Sequence, residues 1–139
     1  MTSGSHPLAR AKYVSFTTFR RNGDAIGSAV WLAELPNGDF GFTTGGDSWK
    51  VKRLRNDPRV RVQISNVRGI VSPGAQLYEG TASVIDGTDP TYAEIEGAIA
   101  RKYGLMFRLV QFSGWVQSKL KPHGAADTAI RITLDATTR

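Results

Sequence analysis

Cysteine is absent from the 139 residues, which excludes disulfides, thiolate nucleophiles, iron–sulfur clusters and cysteine-based zinc sites. Histidine is nearly absent: His6 and His123 lie far apart in sequence, so no metal centre is expected and redox chemistry would need a borrowed cofactor. No apolar run approaches the ~20 residues of a membrane span, and the start, MTSGSHPLARAKYV, lacks the apolar core of a signal peptide. The expectation is a cytoplasmic protein without a membrane span. Low-complexity runs and internal repeats are missing too. With 40% apolar residues the chain can bury a core as one domain of ordinary length. The expected organisation is a flexible N-terminus over residues 1–10 and a single domain over 11–139.

Acidic residues are almost missing from one stretch. Between positions 50 and 68, Lys50, Lys52, Arg53, Arg55, Arg59, Arg61 and Arg68 face Asp57 alone, an excess equal to the whole formal net charge of +6. A positive field focused in this way implies an anionic partner, whether a phosphorylated cofactor, a nucleic acid or a lipid surface. A merely solvated basic face has the same signature, so charge alone does not choose.

The remaining pattern is mostly strand. YVSFTTF (residues 13–19) is rich in β-branched and aromatic residues, and Asn22-Gly23 after it predicts a type I′ hairpin turn. A second strand is expected over Ala25 to Ala33 and a third over Phe40 to Thr44. The period then changes: Asp47 or Ser48 caps a helix of about two turns that buries Val51 and Leu54 and ends at Asn56-Asp57-Pro58. RVRVQIS (59–65) alternates with Val60, Val62 and Ile64 inward, and QLYEGTASVID (76–86) is another strand whose Gly80 marks a bulge or a close approach. Asp89-Pro90 starts a helix with a stripe at Tyr92, Ile95, Ile99 and Tyr103, closed by Gly104. A further helix over 105–121 and a last strand, TAIRITLD, complete the chain. Short connections between the strands favour a mainly β, α+β fold: an antiparallel sheet of about six strands curled into a barrel, with helices flanking its open side.

The short helix is the candidate site. A helix start offers unpaired amides and a partial positive charge, and acidic residues usually occupy its first turn. Here Lys50 and Lys52 stand in that turn. The arrangement makes sense if an anion sits there, with the Ser48 hydroxyl, the amides and the ammonium groups converging on its oxygens, although Asp47 partly offsets the charge. Thr43-Thr44 and the flexible Gly45-Gly46 lead directly into it.

In their order and spacing, FTTGGD, SWKVKRLRNDPRVRV, the upstream AVWL, the later YEGTA and the helix end ARKYGLMFRL resemble the flavin and deazaflavin oxidoreductases related to pyridoxamine 5′-phosphate oxidase. Within them the chain is most similar to short actinobacterial proteins described as coenzyme F420-dependent enzymes. The resemblance runs from about Ala11 to Asp135. It implies an FMN-binding type of split β-barrel, a homodimer with the cofactor at the interface, and coenzyme F420 as cofactor with FMN as the alternative. It further implies that Ser48, Lys50, Lys52 and Arg53 hold the cofactor phosphate, that Thr43 and Thr44 line the chain between phosphate and ring, and that the backbone of Ala29, Val30 and Trp31 faces the ring. The implied activity is hydride transfer from the reduced deazaflavin to an unsaturated small-molecule substrate. Trp31 reads equally as packing, and for Trp49 packing is the preferred reading. Arg55, Arg59, Arg61 and Arg68 are candidates to attract the polyglutamate tail of coenzyme F420. Tyr13, Tyr78 and His123 could deliver a proton, but packing or surface is the preferred reading of each, so no catalytic residue is assigned.

Two other readings share the basic stretch. A non-catalytic F420 or FMN carrier would keep the phosphate grip without a substrate pocket. A basic nucleic-acid-binding barrel would place aromatics among the cations. The aromatics lie on expected core faces and no nucleic-acid motif accompanies the arginines, so no nucleic acid partner is expected.

Overall fold

Apolar–polar alternation forms the strands, and a computed structural model describes the result for residues 6–46, 48–104 and 127–135. The expected helix over 105–121, Asp47 and His123 lie outside the described residues. The elements are α1 (Pro7–Arg10), β1 (Tyr13–Phe19), β2 (Ala25–Val30), β3 (Ala33–Glu34), β4 (Phe40–Thr44), α2 (Trp49–Asn56), β5 (Arg59–Ser65), β6 (Tyr78–Asp86), α3 (Pro90–Tyr103) and β7 (Thr128–Leu134). Residues 7–10, expected within a flexible terminus, are helical: the His6 Nδ1 accepts from the Leu8 amide, and Leu8 is fully buried.

All strands join one antiparallel sheet in the order β2-β1-β5-β6-β7-β4-β3. The count is seven rather than about six because the expected second strand breaks at Trp31-Leu32. Its two halves sit at opposite ends of the sheet. Three residue steps from Val30 to Ala33 reach only ~11 Å, so the two edges must curl towards each other. The fold is therefore an antiparallel split barrel, mainly β, with flanking helices.

The break survives because the backbone it frees is bonded elsewhere, as buried peptide groups must be. The Leu32 amide donates to the Tyr103 hydroxyl at 3.1 Å, and the Leu32 carbonyl accepts from Lys102 Nζ. The same hydroxyl donates to the Lys12 carbonyl at 2.8 Å. The end of α3 thus clamps the crossover.

Val14 and Phe16 of β1, Phe40 and Phe42 of β4, Val60 and Val62 of β5, and Ile130 and Ile132 of β7 fill the interior. Phe16 and Phe42 meet edge to face, centroids 4.8 Å apart. α2 adds Val51 and Leu54 to this core, as the sequence predicts, and α3 adds Ile95, Ala98, Ile99 and Tyr103.

The turn after β1 differs from the expected type I′, which requires positive φ at Asn22 as well as at Gly23. Among the described residues only glycines have positive φ, and Gly23 stands at 93°. The Asn22 side-chain carbonyl accepts from the Asp24 amide at 3.0 Å, which stabilises a three-residue loop closed by Arg20 and Asp24. At Gly80 the structure shows a close approach of backbone: a Cβ there would collide with the Thr133 carbonyl oxygen of β7.

Candidate functional site

The helix α2 lies against β1 and β6, with Val51 and Leu54 as its anchors. At helical spacing, Lys50 and Arg53 then share one flank and Trp49 and Lys52 another. Ser48 is the N-cap, its hydroxyl accepting from the Val51 amide at 3.4 Å, with Thr44 Oγ1 at 3.5 Å. Both distances exceed those of well-formed hydrogen bonds, so the hydroxyl is loosely held. Among the described residues the Trp49 and Lys50 amides have no acceptor. Among the described residues, then, three groups at the helix start stay unspent and suit an incoming anion.

The side chains add charge that no carboxylate among the described residues neutralises. Lys50 is half-buried; burial, and then the neighbouring Arg53, lower its pKa. Arg53 donates from Nε to Thr18 Oγ1 at 2.6 Å, which fixes the guanidinium at the open end of β1. Its pKa is also lowered, by burial first and then by Arg20. Among the described residues no ion pair joins Lys50, Arg53 or Arg20 to a carboxylate. Three mutually repelling cations beside free amides suit a phosphate in charge and donor chemistry.

The other cations of the stretch are in a different state. Arg59 makes a bidentate pair with Asp57, and Arg61 pairs with Glu79 across β5 and β6. Both guanidiniums also lie over the Phe19 ring. Their attraction for a polyglutamate tail is correspondingly reduced; Asp86, whose pKa is lowered first by its hydrogen bonds from Thr88, also lies close enough to Arg55 to be lowered by it, which leaves Arg68 of the four suggested by sequence. Lys52 is exposed and its ammonium stands 4.4 Å from the Trp49 ring centroid, away from the Lys50–Arg53 flank. Trp49 itself is 69% exposed, so it is not a core residue, contrary to packing within this chain.

Thr43 and Thr44 close β4 opposite Ala129 and Thr128. Thr44 is the one that reaches Ser48. Ala29 and Val30 pair with Ser15 and Val14 at the far end of β1. Thr18, which holds Arg53, is four residues from Val14, about 13 Å along the strand. Trp31 stacks on Tyr103 with centroids 4.3 Å apart and planes 5° from parallel. The structure thus brings Thr44, Ser48, Lys50 and Arg53 to one corner and sets Ala29, Val30 and Trp31 at a second.

Sequence reasoning missed Thr18, Arg20, Lys102 and Tyr103 as parts of these corners. Tyr103 carries a weak signal, the last member of the α3 stripe; the others have none, because their contacts are remote in sequence. Of the proton donors considered, Tyr78 is buried beside the His6 ring. Tyr103, not considered, has its pKa pushed up to about 12, mainly by burial.

No family model matches the chain, and no curated protein does. Solved structures do. HutZ, the heme storage protein of Vibrio cholerae, is 11% identical with a TM-score of 0.62, covering 92% of this chain and 84% of its own. An F420 reductase is 17% identical with a TM-score of 0.59, covering 98% of this chain and 97% of its own. A putative pyridoxamine 5′-phosphate oxidase from Listeria innocua is 20% identical with a TM-score of 0.53, covering 92% and 87% respectively. At such identities the likeness establishes the fold alone: this chain shares a split-barrel fold with these three proteins. Among the described residues no helix is long and apolar enough to cross a membrane.

Proposed function

We propose that the protein is an oxidoreductase that uses coenzyme F420, with FMN as the alternative cofactor, and that the α2 corner grips the cofactor phosphate. The observation that carries this reading is the cluster of Lys50, Arg53 and Arg20, with no answering carboxylate among the described residues, set beside the loosely capped helix start. Ser48 and the first-turn amides supply donors, Thr43 and Thr44 line the approach, and Lys52 adds to the field from the rim. The ring lies against Ala29, Val30 and Trp31, which the Tyr103–Lys102 clamp holds in place.

Bound in its reduced form, the deazaflavin supplies a hydride to an unsaturated small-molecule acceptor. The chain's own contribution is orientation and exclusion of water. Tyr103 is not the proton source, since its proton is committed to the Lys12 carbonyl, and the acceptor takes its proton from solvent.

The chain works as a homodimer in this reading. Val67 and Ile70 are exposed large apolar residues, 62% and 60%, on a loop whose Gly69 abuts Ala29 of the edge strand β2. Sedimentation at micromolar concentration checks this, and a monomer there removes the dimer from the proposal.

A titration of oxidised F420 and of FMN, each with wild type and Lys50→Ala, tests the cofactor reading. Tighter binding of F420, weakened by the substitution, is the expected result. No binding of either compound overturns it. Binding without turnover of the reduced cofactor against quinones and other unsaturated acceptors would instead identify a carrier.

A further inference from the structure

The loop that leads from β4 into α2 is held from the far end of the chain. The Gly46 amide donates to Asp127 Oδ1 at 2.7 Å, across 81 residues of sequence. The Asp127 amide in turn donates to the Thr44 carbonyl at 3.3 Å. We propose that Asp127 is a positioning residue of the α2 anion site: its Oδ1 fixes the loop that aims Ser48 and the first-turn amides, while its charge limits how tightly the anion is held. The role rests on the phosphate reading of the α2 corner.

The sheet sets Asp127 in place. Thr128, the first residue of β7, pairs with Thr44 of β4 on one side and with Asp86 of β6 on the other. A Cβ at Gly87 would collide with the Asp127 carbonyl oxygen, so the backbone is closely packed there as well. Thr128 Oγ1 donates to Asp127 Oδ1 at 3.0 Å, which orients the carboxylate.

Gly46 fits this contact. It is not one of the glycines with positive φ, so its backbone conformation does not call for glycine. Space does: a Cβ at Gly46 would stand 2.7 Å from Thr128 Oγ1 and 3.2 Å from Asp127 Oδ1. Glycine here lets the loop approach the carboxylate closely.

Short local bonds pass the hold on to the helix start. The Ser48 amide donates to the Gly45 carbonyl at 3.1 Å, and Ser48 Oγ lies 3.5 Å from Thr44 Oγ1. Thr44 and Gly45 are the residues that Asp127 brackets. The cap bond from Ser48 to the Val51 amide is long, 3.4 Å, so the tie to Asp127 supplies order that the cap itself does not.

The same carboxylate opposes an anion. Among the described residues no ion pair joins Asp127 to a cation, so its negative charge acts unpaired beside the loop. Order in the loop favours binding and the charge disfavours it. The two effects separate by substitution, because both donors use Oδ1 and leave Oδ2 aside. Asp127→Asn keeps the accepting oxygen and removes the charge. Asp127→Ala removes both.

The test titrates the full chain, at low ionic strength, with oxidised F420 and with inorganic phosphate, and follows each variant by urea unfolding. Asp127→Asn is expected to bind both about two- to fivefold more tightly than wild type, the scale of one unpaired charge near a solvated site. Asp127→Ala, equal to it in charge, is expected to bind at least about threefold more weakly than Asp127→Asn, the scale of one lost hydrogen bond. Gly46→Ala, which pushes the loop off the carboxylate, should bind at least about threefold more weakly than wild type. Equal affinities for the Asn and Ala variants, with a difference only in urea midpoint, confine the bond to stability and overturn the positioning role. An Asn variant no tighter than wild type overturns the limiting role of the charge. Lys50→Ala distinguishes these failures from a failure of the phosphate reading: if it too leaves binding unchanged, the anion does not sit at α2 and the role of Asp127 falls with that site.

Discussion

The cations of α2 and those of β5 come from one continuous basic stretch, yet they end in opposite electrical states. Arg59 and Arg61 are answered by Asp57 and Glu79 and lie over an aromatic ring. Lys50 and Arg53 face each other and Arg20, with lowered pKa values and no carboxylate among the described residues. The difference teaches that a run of positive residues does not locate a site. The site is where folding leaves charge uncompensated and partly desolvated, since there an anion gains most.

The sharpest way to break this comparison is to delete one cation from each group. Lys50→Ala or Arg53→Ala should weaken F420 binding about ten- to hundredfold, the scale of a lost charge-assisted contact. Arg59→Ala and Arg61→Ala should leave it unchanged within about twofold, because exposed paired arginines contribute little. Equal losses from both groups in a fluorescence titration would dissolve the distinction.

A second test separates binding from folding. Tyr103→Phe removes the partner of the Leu32 amide and of the Lys12 carbonyl, and should cost about 1–3 kcal/mol in urea unfolding. Affinity of the α2 corner for inorganic phosphate should stay as it was. A matching loss of phosphate binding would mean that the two corners are not separable.

Smaller still is the cap. Ser48→Ala should lower stability by about 1 kcal/mol or less, given the long 3.4 Å bond to Val51, while reducing phosphate affinity measurably. An effect on stability alone would confine Ser48 to a structural role.

A further expected effect is in pH dependence. Lys102 has a folded-state pKa of about 8, below the unfolded value of about 10.4. From about pH 8 to 10 the unfolded chain binds the extra proton, so stability should rise with pH. Lysines of the α2 corner act in the same direction, since burial lowers Lys50 as well. Lys102→Arg should flatten the rise seen in thermal unfolding. A stability that falls across this window contradicts the burial of both amines. Added phosphate should oppose the Lys50 part by favouring its charged form, and leave the Lys102 part intact.

Much of this molecule is written locally. The alternation in residues 59–65 places Val60 and Val62 inside and Arg59 and Arg61 outside, and the structure agrees. Asp89 and Pro90 start α3 and Gly104 ends it, as their capping chemistry dictates. Val51 and Leu54 fix which side of α2 is buried, and so which residues face outward near Ser48. Leu8 was less legible, since a four-residue helix carries no period to read.

The sequence by itself determined the strands, the two longer helices and the concentration of positive charge, because each depends on neighbours within a few positions. Only the tertiary structure decided that the second strand breaks at Trp31-Leu32 and that Tyr103 and Lys102 receive the freed backbone from 71 and 70 residues away. It also decided that Glu79 discharges Arg61 while Thr18 positions Arg53. Such choices depend on which distant groups the closed sheet brings within hydrogen-bonding reach, and periodicity along the chain holds no record of that.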